Sequence, residues 1–346
     1  MKISNLQIYL SNKFKSNDIQ QSVEVSESTP TIDSVFGFAI ADAVGVPAEF
    51  KSRSSLKMSP ITDMVGYGTH HMPEGTWSDD SSMTIATMDS INEYQEIDYN
   101  DIMKKFCEWE RDSKYTATGV FFDIGISTSS ALHRYTRGQK PTECGGKSIR
   151  DNGNGALMRM LPVVLYSDSK NLSYEEEVTL INEMSSLTHG HEISQLGCKI
   201  YADYIKGILN GSSKTESLEN LQAIDYSQYY SPESISYYQR ILDGSITDLP
   251  EEDIKSSGFV VDTLEASIWC THNSDSYEEA VLKAVNLGDD TDTVGAITGS
   301  INGLIYGYHN IPKYWRDNLK SKEYLLDVCN KFNNILEKNK ESKKTL

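Results

Sequence analysis

The chain is 346 residues long, with 38% hydrophobic and 24% charged residues, proportions that exclude a membrane-embedded or disordered chain and fit one large or two small globular domains. Its formal charge of −18, from 32 basic and 50 acidic residues, excludes the basic footprint of a duplex nucleic-acid binder, so no nucleic-acid partner is expected. Five cysteines, odd in number, widely spaced and without a CxxC pair, exclude a disulfide framework and a structural zinc site and read as reduced, buried thiols.

In chain order, residues 1–30 are polar and rich in Ser, Gln, Asn and Lys, ending in Glu27-Ser28-Thr29-Pro30. They read as an N-terminal extension ahead of a domain spanning 31–340. The opening MKISNLQIYLSNKFK lacks the apolar core and small-residue cleavage site of a signal peptide. No apolar run approaches the roughly 18 residues of a membrane helix. No membrane partner is therefore expected, and the cytoplasm is the expected location. Apolar residues then recur at helical spacing over 33–46, 80–95, 100–111, 124–136, 173–187, 191–209, 260–271, 276–286, 292–308 and 322–337. Two-residue alternation is nearly absent. The stretch 211–258 is polar and Tyr/Ser-rich, with one short helix near 233–242, and reads as a surface excursion. The charged tail from Lys338 to Leu346 is expected to fray. The expected fold is a compact, single-domain, multi-helix all-α structure.

Two helices carry small-residue stripes. Gly37, Ala41 and Gly45 recur every four residues in the first, and Gly295, Gly299, Gly303 and Gly307 in the last long apolar one. Glycine costs about 1 kcal/mol in a helix interior, so such a stripe predicts close backbone approach of a neighbouring helix. A membrane GxxxG reading fails because both helices carry polar residues beside acidic clusters.

The first acidic cluster is Ser78-Asp79-Asp80. Ser78 suits an N-cap and the two aspartates the first helical turn, which alone would explain an isolated cluster. The second, Asp289-Asp290-Thr291-Asp292-Thr293, also opens a helix, but capping needs one such residue. Three carboxylates in five positions repel unless a cation neutralises them, and oxygen donors suit hard ions such as Mg2+ or Mn2+. The second cluster lacks the glycine and glutamate of an EF-hand loop. If the two helix starts converge, they supply a two-metal hydrolytic site. On these residues alone, phosphatases and nucleases remain open.

Taken together, six segments resemble the ADP-ribosylglycohydrolase family, which includes the dinitrogenase reductase-activating glycohydrolases. They are Gly37-Phe-Ala-Ile-Ala-Asp-Ala-Val-Gly45-Val-Pro-Ala-Glu49-Phe50, Gly75-Thr-Trp-Ser-Asp-Asp80, Asp123-Ile-Gly125, Asn152-Gly-Asn-Gly155-Ala-Leu-Met-Arg159, Thr188-His189 and Gly288-Asp-Asp-Thr-Asp-Thr293, in that order across about residues 31–310. Each alone is a weak signal; six in order are a strong one. The resemblance implies an all-α fold with a binuclear Mg2+ or Mn2+ centre whose ligands are Ser78, Asp79, Asp80, Asp290, Asp292 and Thr293. Ser78 stands where members often carry Thr and keeps the hydroxyl. Asp289 replaces a frequent glycine and adds no ligand.

The implied activity is metal-dependent hydrolysis of the N-glycosidic bond between ADP-ribose and a protein side chain, with arginine favoured because the motifs sit nearest the bacterial branch. Such cleavage passes through an oxocarbenium-like transition state and needs a carboxylate. Glu49 and Asp123 match family positions for it; read alone, Glu49 is a solvated loop residue and Asp123 an N-cap of the following helix. Gly153, Asn154 and Gly155 form a turn whose N–H groups could cradle a diphosphate, or an ordinary loop. His189 either complements a helix C-terminus or, by family position, contacts the substrate. His191 is read as surface. Some family members act as immunity proteins, so residues 1–30 offer a second reading: a segment that binds and blocks an ADP-ribosyltransferase toxin, with or without hydrolase activity. The expected partners are an ADP-ribosylated protein and such a toxin.

Overall fold

Thr29 starts the first helix. Its hydroxyl accepts from the Ile32 N–H at 3.2 Å, and Pro30 occupies the first helical position, so α1 runs Pro30–Gly45. The computed structural model describes Val25 and residues 28–344. The predicted extension therefore lies outside the described residues apart from Val25 and residues 28–30, of which Thr29 caps α1 and Pro30 begins it. Continued through Ala48, this helix is long and apolar enough to cross a membrane, which the sequence reading missed. Within the fold 94% of that window is buried, so its apolarity is spent on neighbouring helices.

The remaining long helices are α2 (Asp79–Tyr94), α3 (Tyr99–Asp112), α4 (Ile126–Thr136), α5 (Leu161–Lys170), α6 (Tyr174–Ser186), α7 (Glu192–Leu209), α8 (Lys214–Gln222), α9 (Val260–His272), α10 (Tyr277–Asn286), α11 (Thr291–Tyr306) and α12 (Lys322–Lys344). Short helical turns connect them. Among the described residues β-pairing is limited to three isolated bridges, Tyr67 with Met72, Gly146 with His189 and Gly153 with Phe259. The fold is all-α, as expected.

Helices α1 and α11 form the centre, flanked by α9, α10 and α7 on one side and by α2 and α12 on the other. Their pairing follows from the small residues. Gly37 lies on the backbone of Gly299 and Gly303, Gly303 on Asp33, Gly295 on Ala41, and Gly45 on Thr291 and Asp292. The two helices are therefore antiparallel and meet backbone to backbone; a Cβ on Gly295 would stand 3.0 Å from the Ala41 carbonyl oxygen. This seam sets the C-terminal end of α1 against the N-terminal end of α11. Gly307 does not belong to it. It follows the last residue of α11 with φ 80° and ψ 154°, a conformation that favours glycine, and ends the helix.

The stretch 211–258 is not a surface excursion. Leu218, Leu221, Tyr226, Tyr230, Tyr238, Ile241, Ile246 and Ile254 are buried in the main core. The tyrosines disguised this in the sequence, because each buries its ring while its hydroxyl finds a partner. Tyr226 donates to Asp203 at 2.8 Å, Tyr230 to Asn182 at 2.8 Å and Tyr238 to the Ile193 carbonyl at 2.7 Å.

Candidate functional site

Three chain segments are fastened together where the seam ends. After α1, Val46–Ala48 make one helical turn and Glu49 and Phe50 follow. Phe50 donates its N–H to the Asp289 carbonyl at 2.7 Å, and Asp289 donates to the Lys51 carbonyl at 2.9 Å. Both residues sit in the left-handed region, with φ of 63° and 60°. The Arg53 guanidinium donates to the carbonyls of Leu287, Glu251 and Ile254, which fixes the approach to α11. Asp289 keeps its side chain exposed.

The third segment is the start of α2. Ser78 caps it as expected, accepting from the Asp80 N–H at 3.2 Å. A residue overlooked in the sequence does more. Asp42, inside α1 and fully buried, accepts from the N–H groups of Ser78 and Ser81 and from the Ser81 hydroxyl at 2.6 Å. It thereby pins α2 to α1. Burial pushes its carboxyl up to about 6 despite those bonds.

Around this junction seven carboxylates converge. Oxygens of Asp42, Asp80 and Asp292 lie within 4.8 Å of one another, as do those of Glu49, Asp290 and Asp292, and those of Asp79, Asp123 and Asp292. Glu49, His70 and Asp123 form a fourth such group. Thr293 ties the two clusters together, its hydroxyl 3.3 Å from Asp80 Oδ1 and its N–H donating to Asp292 at 2.9 Å. All the predicted metal-site residues, Ser78, Asp79, Asp80, Asp290, Asp292 and Thr293, are thus neighbours, and Glu49 and Asp123 border them.

Neither alternative reading of those last two holds. Glu49 is buried, not solvated, and pairs with His70, a residue no sequence pattern singled out. The His70 ring lies between Phe50 and Phe122, with centroids 5.9 and 5.1 Å away. Asp123 is not a cap: α4 begins behind Gly125, and Asp123 sits two residues earlier with φ 56°.

The donor set fits divalent cations. Burial, then repulsion among neighbours, pushes Asp79, Asp80 and Asp292 well above the usual carboxylate range and Glu49 up to about 7. Such a cluster is costly unless positive charge enters it. Asp80 Oδ2 and Asp290 Oδ1 are buried and accept no hydrogen bond among the described residues. Asp290 occupies the N-cap position of α11 yet its side chain caps nothing. Capping, which accounts for Ser78, therefore does not account for the second cluster. Oxygen-only donors of this kind suit a hard cation.

The turn at 152–155 departs from the expected cradle. The Asn154 N–H donates to the Gly258 carbonyl at 3.0 Å and so is not available to a diphosphate. Its side-chain amide instead donates to Thr263 and, at 3.0 Å, to Asp290 Oδ2, which aims that carboxylate. The N–H groups of Gly153 and Gly155 make no hydrogen bond among the described residues. The ring of His189 lies against both glycines, and a Cβ on Gly155 would stand 2.8 Å from it. His189 does not complement a helix end as a cation. Burial, with the Arg159 charge beside it, pushes its imidazole down to about 3, so it is neutral. His191, read as surface, caps α7 by accepting from the Ile193 N–H at 3.3 Å.

This burial has a consequence for acid stability. A histidine whose folded value is depressed contributes stability that is full above its unfolded value of roughly 6.5 and is lost as pH falls toward the folded value. Between roughly pH 7.5 and pH 5 the loss amounts to about 2 kcal/mol. His189→Gln should flatten that part of the profile, which urea unfolding at the two pH values measures. An unchanged profile would show that His189 stays accessible to protons.

Comparison with known proteins gives one consistent family. The family model described as ADP-ribosylglycohydrolase matches residues 31–343. The chain is 32% identical over 296 residues to ADP-ribosylarginine hydrolase Tri1 of Serratia proteamaculans (strain 568), covering 85% of this chain and 76% of that protein. It is 25% identical to the ADP-ribosyl-[dinitrogen reductase] glycohydrolase of Rhodospirillum rubrum, covering 83% and 88% of the two chains. Among solved structures, a chain of an ADP-ribosylglycohydrolase-related protein complex superposes with a TM-score of 0.74 at 27% identity, covering 89% of this chain and 98% of that one.

Proposed function

The chain belongs to the ADP-ribosylglycohydrolase family, and we propose that it hydrolyses the bond between ADP-ribose and an arginine side chain of a modified protein, with two Mg2+ ions, or Mn2+, at the acidic centre. The observation that carries this reading is the convergence of seven mostly buried carboxylates from four distant segments, two of whose fully buried oxygens accept no hydrogen bond among the described residues. The name of the Serratia relative, an ADP-ribosylarginine hydrolase, supports arginine as the linkage.

In the proposed reaction the bond from the ribose anomeric carbon to the guanidine nitrogen breaks and a bond to a water oxygen forms. Water gives up one proton and the leaving guanidine gains one. The transition state carries positive charge on the ribose ring, which nearby carboxylates stabilise. Bound divalent cations would supply a water of lowered pKa and hold the ribose hydroxyls. Asp79, Asp80, Asp290 and Asp292 would hold the cations, with Ser78 and Thr293 adding hydroxyl oxygens. Glu49 takes the water proton. His70 holds its carboxyl at the edge of the cluster, with the Phe50 and Phe122 rings beside the imidazole. Asp123 is the second carboxylate facing the ribose.

The test is incubation with proteins carrying arginine- or serine-linked ADP-ribose, and with the O-acetyl ester of ADP-ribose, with Mg2+ or Mn2+ added. Release of free ADP-ribose from the arginine conjugate, and slower or no release from the others, is expected. No release from any conjugate, under conditions where the Rhodospirillum relative works, would overturn the reading.

A further inference from the structure

Arg159 is completely buried, yet among the described residues no carboxylate pairs with it. That is unusual, because a buried charge ordinarily has a counter-charge. Its contacts are a carbonyl, a hydroxyl and a ring. Nη2 donates to the Met184 carbonyl at 3.0 Å and to the Thr188 hydroxyl at 2.7 Å, and the guanidinium lies over Phe106, 5.1 Å from the centroid. Nε and Nη1 donate to no acceptor among the described residues. A fold that tolerates two idle donors on a buried cation is keeping it for something other than stability.

The Thr188 hydroxyl has two neighbours, Arg159 Nη2 and, at 2.9 Å, Nδ1 of His189. A hydroxyl offers one proton and two lone pairs. Arginine has no lone pair to give, so it must take one of the oxygen's. If Nδ1 carried a proton, it would take the other, and the buried hydroxyl proton would have no acceptor. The arrangement that satisfies every group has the hydroxyl donating to an unprotonated Nδ1. The imidazole proton then sits on Nε2, which faces Gly153 and makes no hydrogen bond among the described residues. The Arg159 charge, next to the ring, also opposes a second proton on it.

We propose that Arg159 and Thr188 are positioning residues that orient the Thr188 hydroxyl toward His189 Nδ1, fix the imidazole in its Nε2–H form, and so present a neutral donor to an oxygen of the ADP-ribose held over the Gly153–Gly155 turn. The substrate half of this rests on the proposed function; the tautomer half does not.

The test separates the two. Histidine-selective 15N labelling reports the tautomer of each of the seven histidines, and His189→Gln identifies the His189 signal. In the unmodified protein at neutral pH, the His189 signal of the pure Nε2–H form is expected. Thr188→Val keeps the side-chain shape without the hydroxyl. It should give mixed tautomers and, with Mg2+ present, bind ADP-ribose about tenfold more weakly, the usual scale for one lost hydrogen bond to an anionic ligand. Thr188→Ser should restore both. Arg159→Met should shift the tautomer signal as Thr188→Val does; should that variant not fold, the Val/Ser pair decides alone. An Nδ1–H or doubly protonated His189 in the unmodified protein, or an unchanged spectrum in Thr188→Val, would overturn the proposal. A Nε2–H signal that changes in Thr188→Val, with no ADP-ribose binding to either protein, would support the relay and overturn the substrate assignment.

Discussion

Asp292→Asn should abolish release of ADP-ribose while leaving the chain folded. Asn matches Asp in size and still accepts the Thr293 N–H through its amide oxygen, so the first turn of α11 keeps its local bond. Only the charge goes. Asp292 belongs to three of the four convergent groups, so no other residue compensates for it. Replacing a residue that merely supports a metal ligand lowers affinity or activity roughly 10–100-fold, and removal of Asp292, a ligand in the function proposed above, should exceed that, at about a hundredfold or more. Stability should move the other way. Burial and the charges of Glu49 and Asp80 push the Asp292 carboxyl well above its usual range. A carboxyl raised in the folded state stabilises below its unfolded value and loses that contribution as pH rises, so at neutral pH it works against folding. The cation-free Asn variant should therefore melt higher than the cation-free parent, and added Mg2+ should raise its Tm less. Scanning calorimetry with and without a chelator, beside an ADP-ribose release assay, measures both. Activity within tenfold of the parent would remove Asp292 from the mechanism.

Gly299→Val should be strongly damaging although it lies outside the acidic centre. On an isolated helix, replacing glycine by a residue with a side chain gains up to about 1 kcal/mol. Here the new Cβ would meet the Gly37 carbonyl oxygen and the Ala41 methyl. Neither can rotate away, since one is backbone and the other has no rotamer. Helices α1 and α11 would have to part. Overpacking ordinarily costs about 1–3 kcal/mol, and moving two central helices belongs at the upper end, about 3 kcal/mol, read as a drop of several degrees in Tm. The separation would also spread Glu49 from Asp290 and Asp292, since the seam ends between them, so cation affinity should fall with stability. Gly125→Ala is the control: its φ is −64° and the nearest atom to a new Cβ is 3.8 Å away, so its cost should stay below about 1 kcal/mol. Equal effects at the two sites would refute the close-packing argument.

How far the sequence could be read depended on whether a residue's signal was local. Ser78 and the 290–293 run declared themselves because several oxygens of one kind crowd a helix start. The glycine stripes declared themselves because four-residue spacing has no other economical reading in a helix. Asp42 was missed, although a lone acid among the alanines of an apolar helix is a detectable anomaly: its partners, the N–H groups of α2, are not on its own helix. Arg159 carried the same kind of mark, a cation inside Ala156-Leu-Met-Arg-Met-Leu161. His70 carried none. It sits in a polar loop beside a second histidine and acquires its role only through Glu49, twenty-one residues earlier. Asp123 was legible only by resemblance, since its position depends on a left-handed backbone that no local pattern announces. The tyrosine-rich stretch 211–258 was misread because a buried tyrosine looks polar until its hydroxyl has an acceptor.

The pairing of α1 with α11 joins segments made at opposite ends of synthesis. A ribosome adds roughly 5–20 residues per second, so α1 emerges tens of seconds before the helix it must bury against exists. Throughout that interval the growing polypeptide displays a segment with the hydropathy of a membrane span, and of its long-helix neighbours named above only α2 is made early enough to cover part of it. Contacts this remote in sequence also make for slow folding. The seam that fixes the finished molecule therefore leaves the unfinished one with an apolar surface only partly covered until the last third of the chain is out.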